Sequence, residues 1–293
     1  MLTYAISHAL QAITWCEDMV RFTVTQKRRL TELSAPSELL ERVFDDVEER
    51  DEFFDKFVSE LVITNKTQLQ RLIHKGFCSS LRTIERKVDE AAISKGFTEV
   101  NTPILITDSH IRRMGIDESN KLWKQIIWVD DNLCLRPMLA PNLYYVMKRL
   151  RRFLRPVRIF EIGPCFRKEE EGSLHSTEFT MANIVELAPD KEPYVVLRDI
   201  INMVMTPIGL MNYDIKESPC AVYGKTLDVL VNGIEVASGV IGPIPIDINW
   251  GITEPWAGVG FGLERLAMLK KGLDRIKPVA RSLTYLDGIF LNI

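Results

Sequence analysis

Gly258-Val259-Gly260-Phe261-Gly262-Leu263-Glu264-Arg265 is the stretch of this sequence that says most about its fold. Glycine has no Cβ, so the backbone here can pass close to a flat ligand. Arg265 begins an apolar run that is typical of a helix following a strand. Its planar guanidinium can stack on a base and also contact a phosphate. Ordinary strand-to-helix turns look similar, so the weight of this pattern depends on a second arginine, Arg167, in a separate hairpin.

The second feature is a charged loop between two β-rich runs, Phe166-Arg167-Lys168-Glu169-Glu170-Glu171-Gly172-Ser173-Leu174-His175-Ser176-Thr177-Glu178-Phe179. A solvated loop tolerates such charges, and that is the structural alternative. In the functional interpretation, Arg167 offers a bidentate fork to a phosphate, His175 donates a further hydrogen bond, and Phe179 stacks on a base. With Arg265 on the opposite face, the base would lie between a ring and a guanidinium. Two arginines that converge on a phosphate chain suit phosphoryl or nucleotidyl transfer.

A candidate metal site follows the hairpin signal Asn232-Gly233. Glu235 and Ser238 are three residues apart, so an ideal strand would not place them on one face. A bulge, or approach from two sides of one ion, is needed. Mg²⁺ held by one or two protein oxygens and by substrate phosphates fits this pair. Ser238 alone is equally well explained as a small residue chosen for packing.

Size and charge limit the function classes. The 293 residues suffice for one large domain, or for a domain with an appendage. The formal net charge is -3, so a nucleic-acid partner requires a local basic patch. The run Lys148-Arg149-Leu150-Arg151-Arg152-Phe153-Leu154-Arg155-Pro156-Val157-Arg158 is the candidate, with a solvated helix face as the alternative.

The cysteines indicate a compartment. The five cysteines are scattered and never in a CxxC spacing, and the four histidines lack metal-ligand spacing. This favours reduced thiols in the cytoplasm. No window holds enough consecutive apolar residues for a membrane span.

The order of patterns predicts an α+β fold. Residues 1–75 are predicted to be an N-terminal helical segment, with an apolar helical stripe from Leu39 to Val47. Residues 76–293 are predicted to form the main domain, beginning with a helix at about 79–94. Hairpin-connected strands follow, with helices inserted at about 139–153, 195–206 and 262–270. This arrangement predicts a mainly antiparallel sheet flanked by helices.

These segments together resemble a known family. The strand ending at Pro103, the loop from Arg167 to Phe179 and the stretch Gly260–Arg265 resemble motifs 1, 2 and 3 of class II aminoacyl-tRNA synthetases. Three longer strings resemble pyrrolysyl-tRNA synthetases: Leu135-Arg136-Pro137-Met138-Leu139-Ala140-Pro141-Asn142-Leu143-Tyr144, Ile159-Phe160-Glu161-Ile162-Gly163-Pro164-Cys165 and Ala280-Arg281-Ser282. The resemblance covers roughly 80–293 strongly and 20–80 weakly. It is to the short type, without a separate N-terminal tRNA-binding domain.

The resemblance implies a class II catalytic domain, a homodimer, ATP with Mg²⁺, a cognate tRNA and pyrrolysine as the amino acid. It implies ATP contacts from Arg167, Glu169, His175, Phe179, Glu235, Ser238 and Arg265, with Arg167, Glu235 and Arg265 catalytic and Glu235 and Ser238 holding the metal. It implies an amino-acid pocket built from Ala140, Leu143, Tyr144, Met147, Asn183, Val185, Tyr223 and Trp256. In this pocket Asn183 would bind the substrate's side-chain amide and Tyr223 would lie on a mobile lid. Leu143, Met147 and Val185 could also be ordinary core.

Two other functions stay open from the sequence. One is a class II synthetase for another bulky amino acid, and the other is a tRNA-binding paralogue without catalysis, against which the retention of Arg167, Glu235 and Arg265 argues. An amide ligase on the same fold is a weaker alternative. The residues before Met19 are expected to be dispensable. The tRNA is expected to bind the basic run together with the N-terminal helices, where Lys27, Arg28 and Arg29 cluster.

Overall fold

The fold is taken from a computed structural model that describes residues 19–168 and 172–293. The expectations for residues 1–18 and for Glu169 therefore concern positions outside the described residues. The chain divides into two compact units. One contains the described residues up to Phe77 together with Ser282–Ile293, and the other is formed by the described residues of Cys78–Arg281.

The helices and the strands are each numbered in chain order. The described helices are α1 (Val24–Glu32), α2 (Ser37–Leu40), α3 (Val47–Lys75), α4 (Ser80–Ser94), α5 (Asp108–Arg113), α6 (Lys121–Gln125), α7 (Ala140–Leu150), α8 (Pro193–Ile208), α9 (Asp247–Trp250) and α10 (Leu263–Lys270). The described strands are β1 (Val20–Arg21), β2 (Val43–Phe44), β3 (Thr98–Glu99), β4 (Leu105–Thr107), β5 (Leu133–Leu135), β6 (Val157–Phe166), β7 (Glu178–Leu187), β8 (Asp214–Cys220), β9 (Gly224–Val231), β10 (Ile234–Gly242), β11 (Trp256–Gly262), β12 (Tyr285–Leu286) and β13 (Ile289–Phe290).

The first unit is held together by aromatic packing. Phe22 directly follows β1 and Phe44 lies on its partner strand β2, and the two rings meet edge to face with 4.9 Å between their centroids. The predicted helical stripe from Leu39 to Val47 is wrong as one element, because α2 ends at Leu40 and β2 follows. Phe44 has its apolar partners across the β1–β2 pair and on α3, so tertiary packing overrides the local helical period.

The second unit is built on a seven-stranded sheet in the order β3-β6-β7-β11-β10-β9-β8. Only the β3–β6 pair is parallel; the other neighbouring strands are antiparallel. The Asn232-Gly233 turn joins β9 to β10 with positive φ angles of 51° and 78°, as a tight hairpin turn requires. The predicted α+β fold with a mainly antiparallel sheet flanked by helices is confirmed.

The two faces of the sheet have different roles. On one face, β7 and β11 contribute Ala182, Ile184, Val259 and Phe261 to a core with α4, α8 and α10. Residues at alternating positions on the same strands point to the other face, where α7 packs. No helix in the described ranges is long and apolar enough to cross a bilayer.

A buried ion pair anchors the segment that precedes α7. Arg136 and Glu161 are both 2% exposed, and Nη1 of Arg136 lies 2.6 Å from Oε1 of Glu161. Glu161 also accepts hydrogen bonds from the backbone and hydroxyl of Thr102. Gly163 must lack a Cβ because that atom would overlap the Arg136 guanidinium. Both charges are therefore compensated, and the start of α7 has one fixed position against β6.

Candidate active site

A cavity of about 530 Å³ lies within the second unit, over the β7–β11–β10 face of the sheet. Every predicted site residue that the structure describes lines it: Ala140, Leu143, Tyr144, Met147, Arg167, His175, Phe179, Asn183, Val185, Tyr223, Glu235, Ser238, Trp256 and Arg265. These residues come from α7, β7, β10, β11, α10 and the β6–β7 and β8–β9 loops. The structure therefore brings the predicted ATP residues and the predicted amino-acid residues into one continuous space.

The glycines of β11 form part of the cavity floor. Gly258, Gly260 and Gly262 alternate with Val259 and Phe261, so the glycines face the cavity while the apolar side chains face the core. A Cβ at Gly260 would lie 2.7 Å from Oδ1 of Asn183 across the β7–β11 pair. The sequence predicted that the glycine backbone lies close to a ligand, and at Gly260 it also lies close to the side chain of Asn183.

The polar end of the cavity contains Arg167 at the end of β6. Its Nε donates to the carbonyl of Pro137 at 2.9 Å, and its guanidinium carbon lies 5.1 Å from the Phe179 ring centroid. The hydrogen bond restricts the orientation of the guanidinium, and the guanidinium also packs over the Phe179 ring. Such a preorganised fork suits a phosphate group.

Arg265 lies at the start of α10, on the β10 side of the same cavity. Its Nη1 donates to the backbone carbonyl of Glu235 at 2.8 Å and lies 3.6 Å from the Glu235 carboxylate. The preceding residue, Glu264, is 2% exposed and accepts two contacts from the backbone N–H of Thr180, at 2.8 and 2.9 Å. Burial raises the pKa of Glu264, and this backbone donor opposes the rise. The contact holds the start of α10 against β7, which positions Arg265.

The candidate metal ligands lie on an irregular part of β10. The β9–β10 register shifts between Glu235 and Ala237, which is a β-bulge. The bulge supplies the extra residue that the spacing of Glu235 and Ser238 required, and both side chains line the cavity. Ser238 donates its hydroxyl hydrogen to Asp228 at 2.7 Å, which leaves its oxygen lone pairs for another partner. Burial raises the pKa of Glu235, and the Arg265 charge partly offsets this.

The opposite end of the cavity is mostly apolar and contains Asn183. Its Oδ1 is buried and has no hydrogen-bond partner among the described residues. Around it lie Tyr144, Met147, Val185 and Trp256, each at most 5% exposed. A buried carbonyl oxygen without a partner is costly, and it suits a ligand that brings a donor.

The tip of the β8–β9 hairpin covers this end of the cavity. Tyr223 and its neighbours Ala221 and Val222 line the space. Burial raises the pKa of Tyr223 well above its usual range, so its hydroxyl keeps its proton. Asn120, which caps α6, also donates its side-chain amide to the carbonyl of Ala221 at 3.1 Å. One hydrogen bond therefore holds the hairpin tip against the α5–α6 loop.

The comparisons with known proteins agree with this geometry. A crystal structure of pyrrolysyl-tRNA synthetase from Desulfitobacterium hafniense superposes with a TM-score of 0.88 and 42% sequence identity, covering 93% of this chain and 99% of that one. The chain belongs to the pyrrolysyl-tRNA synthetase family. A second Desulfitobacterium hafniense structure, of PylSc, a pyrrolysyl-tRNA synthetase, covers 94% of this chain with a TM-score of 0.87 and 40% identity. The resemblance found in the sequence is confirmed.

A family model and further curated proteins match parts of this chain. The family model of the phenylalanyl-tRNA synthetase beta chain CLM domain matches residues 68–249. A phenylalanine–tRNA ligase beta subunit of Borrelia garinii subsp. bavariensis is 27% identical over 72% of the synthetase and 38% of the relative. A threonine–tRNA ligase of Wolbachia sp. subsp. Brugia malayi is 31% identical over 31% of the synthetase and 15% of the relative. The chain thus spans well under half the length of these curated relatives.

The structure adds residues of the synthetase that the sequence analysis did not single out. Asp228 accepts a bond from the Ser238 hydroxyl, and Asn120 donates to the hairpin tip. The period-two alternation of glycine and apolar residues in β11 could have assigned Gly258 and Gly260 to the ligand side. Nothing comparable marks Asp228 or Asn120, because their roles depend on neighbours across the sheet or across a loop.

Proposed function

We propose that this synthetase activates pyrrolysine with ATP and transfers it to its cognate tRNA. The observation that carries the proposal is the single cavity, in which Arg167, Arg265 and Glu235 line one part and Asn183 lies in the apolar part. A long lysine derivative that carries an amide fits the apolar part. Its carboxylate would then point toward the phosphate-binding residues. A non-catalytic paralogue has no need of such an arrangement.

The chemistry follows from the charges in the cavity. A carboxylate oxygen of the amino acid attacks the α-phosphorus of ATP in line, the bond from that phosphorus to the bridging oxygen breaks, and pyrophosphate leaves. The attacking carboxylate is already ionised, so no protein base is needed. Arg167 would bind the α-phosphate, His175 the outer phosphates, and Phe179 with Arg265 the adenine. The tRNA ribose hydroxyl then attacks the acyl carbon and loses its proton to solvent, the bond from that carbon to the phosphate oxygen breaks, and AMP leaves. The protein contributes mainly positioning and charge stabilisation.

Mg²⁺ fits the residues on β10. A carboxylate and a hydroxyl are the hard oxygen ligands that this ion prefers, and the bulge places Glu235 and Ser238 along one cavity wall. The ion would stabilise negative charge on the phosphates. Asp228 would orient the Ser238 hydroxyl and leave its lone pairs directed away from β9.

The deciding experiment is ATP–pyrophosphate exchange with pyrrolysine, measured against each standard amino acid. Exchange that depends on pyrrolysine, followed by acylation of the cognate tRNA, is the expected result. Exchange with a different amino acid would indicate a synthetase of other specificity. No exchange with any of them, together with tRNA binding, would support the non-catalytic alternative.

Glu235→Gln should weaken Mg²⁺ binding to the ATP complex by at least about tenfold at neutral pH. The raised pKa of Glu235 means that this carboxylate becomes protonated at a higher pH than an ordinary glutamate, whose pKa is about 4.3. Its contribution to Mg²⁺ affinity is therefore present at neutral pH and is lost as the pH falls through that raised pKa. Calorimetric Mg²⁺ titrations of the ATP-bound protein between about pH 5 and 8 measure this.

The ATP phosphates titrate equally in parent and variant, so the difference between the two pH profiles isolates Glu235. Identical profiles would show that Glu235 does not bind the ion. Glu217→Gln is the matched control, because this exposed carboxylate on β8 pairs with Lys225 and does not line the cavity.

Charge reversal in the basic run should weaken tRNA binding and leave ATP-dependent activation unchanged. Arg151 is a poor target because it donates to Glu254 at 2.8 Å, so its reversal would place two carboxylates together. Arg149 and Arg152 are exposed, and Phe153, which directly follows Arg152, is 83% exposed. For each lost phosphate contact, the slope of log affinity against log salt should fall by ~0.7–0.9. Filter binding of Arg149→Glu/Arg152→Glu at several salt concentrations tests this.

The control for that experiment is Arg198→Glu on α8, which reverses an exposed arginine that does not line the cavity. If the double variant and this control have the same salt slope, the basic run is only a solvated surface.

The proposal extends to assembly and compartment. A homodimer is the expected assembly, and sedimentation at micromolar concentration tests it. A cytoplasmic location agrees with the four described cysteines, which are free thiols. Burial raises the pKa of Cys134 to about 11 and of Cys165 to about 12, so neither is an activated nucleophile.

A further inference from the structure

Asp247 is a buried carboxylate directly behind the amino-acid end of the cavity. It is the first residue of α9 and is 1% exposed. Its Oδ1 accepts a hydrogen bond from the Tyr144 hydroxyl at 2.7 Å. Its Oδ2 accepts from the Trp256 indole N–H and from the Ile244 backbone N–H, each at 2.7 Å. Its described partners are thus hydrogen-bond donors, and an ionised carboxylate has enough lone pairs to serve all three.

The two side chains bound to Asp247 are both walls of the cavity. Tyr144 comes from α7 and Trp256 from the start of β11. Their rings meet edge to face, with centroids 5.7 Å apart and an angle of 81°. Burial raises the pKa of Tyr144 well above its usual range, so its hydroxyl keeps the proton that it donates to Asp247.

Packing behind the cavity supports the same arrangement. Trp250, on the short helix that Asp247 begins, stacks on Tyr144 with centroids 5.4 Å apart and an angle of 17°. Gly242 lies against the Trp256 indole, and a Cβ at this position would overlap that ring. This packing of Tyr144 and Trp256 therefore requires the segment after β10 to keep its position. Asp247 lies on that segment and is hydrogen-bonded to both side chains.

We propose that Asp247 is a positioning residue that sets the shape of the amino-acid pocket, by holding Tyr144 and Trp256 in one relative arrangement. The inference rests on the proposed function in so far as this end of the cavity receives the amino acid. Asp247 itself does not line the cavity. It acts through two side chains that come from separate elements, and losing it frees both to move into or away from the space between them.

The substitutions Asp247→Ala and Asp247→Asn separate positioning from simple filling of the core. Alanine removes both acceptors and leaves the Tyr144 hydroxyl, the Trp256 N–H and the Ile244 N–H without them. Asparagine keeps the shape: its oxygen can serve Trp256 and Ile244, while its amide donates to the Tyr144 hydroxyl, which rotates to accept. Asparagine should therefore rescue what alanine loses.

The test is ATP–pyrophosphate exchange by the full chain, with the KM for pyrrolysine, for Nε-acetyl-lysine and for ATP measured separately. Asp247→Ala should raise the KM for pyrrolysine by about tenfold or more and reduce the preference for pyrrolysine over Nε-acetyl-lysine, whereas the KM for ATP should change by less than about twofold. Asp247→Asn should stay within about threefold of the parent on all three.

A core variant controls for lost stability. Val204→Ala on α8 removes buried apolar volume away from the cavity, because Val204 is fully buried in the core on the other side of the sheet. It should lower the melting temperature. The ratio of the KM for pyrrolysine to the KM for ATP, and the preference for pyrrolysine over Nε-acetyl-lysine, should stay unchanged. If Asp247→Ala behaves like Val204→Ala, or raises the KM for ATP as much as that for pyrrolysine, the inference is overturned.

A double-mutant cycle separates this inference from the proposed function. A parent that does not exchange with pyrrolysine rejects the proposed substrate but leaves the Asp247 network to be tested. In that case Tyr144→Phe, Asp247→Ala and the double variant are compared by chemical denaturation. Non-additive effects on the unfolding free energy support the network. Additive effects overturn the inference, whatever the substrate is.

Discussion

Replacing Arg167 by alanine is expected to lower the rate of ATP–pyrophosphate exchange by about 10²–10³-fold, the loss that follows removal of one preorganised donor to developing charge. Arg167 is placed for this role by its bond to the Pro137 carbonyl and by the Phe179 ring beside its guanidinium. The loss should appear in kcat as well as in kcat/KM, because the fork is proposed to stabilise the charge that develops on the α-phosphate as the bond forms and breaks.

Arg167→Lys distinguishes charge from geometry. Lysine keeps the positive charge but loses the planar fork, so it should recover only a small part of the lost activity. Arg86→Ala is the charge-matched control, since Arg86 is exposed on α4, and it should stay within about twofold of the parent. A similar small effect for Arg167→Ala and Arg86→Ala would show that Arg167 does not contact the reacting phosphate.

Asn183→Ala is expected to change the amino-acid specificity. The Oδ1 atom of Asn183 is buried and without a partner among the described residues, and the neighbouring cavity walls are apolar. A buried amide left unpaired costs ~1–3 kcal/mol, so the parent should reject side chains that bring no partner for it. Phenylalanine lacks an amide, and unmodified lysine brings an unpaired charge. The variant should activate pyrrolysine about 10–100-fold less well and admit bulky aromatic analogues.

Exchange with a bulky phenylalanine derivative, measured in parent and variant, is the deciding observation. Tyr223→Phe is the comparison, because it removes one hydroxyl from the lid and should change affinity only modestly. Asn183→Ala removes the Oδ1 atom that lies close to Gly260, and both residues line the cavity, so the space gained adjoins the cavity. Unchanged selectivity would mean that Asn183 does not face the substrate, and the proposed map of the pocket would then be wrong.

Much of the fold was predictable because its signals are local. The Asn232-Gly233 turn requires two residues that tolerate positive φ, and it lies at the β9–β10 turn. The long β6 and β7 strands and the helices α4, α7, α8 and α10 also lie where the patterns placed them. The helical period from Leu39 to Val47 misled because Phe44 is buried by distant aromatic residues, a contact that no local pattern contains. Likewise, Tyr285 and Phe290 pack with Leu33, which is far from them in the sequence.

The sequence by itself determined the family, the antiparallel sheet and the identity of the residues around the cavity. These follow from long motif strings and from glycine, turn and strand periodicities, all of which act over a few neighbouring positions. Only the tertiary structure decided how those residues are held. The bulge that aligns Glu235 with Ser238 depends on pairing between β9 and β10, and the Tyr144–Asp247 bond joins positions 103 residues apart. Such contacts depend on which strands and helices become neighbours, and burial makes each one strong enough to fix the shape of the site.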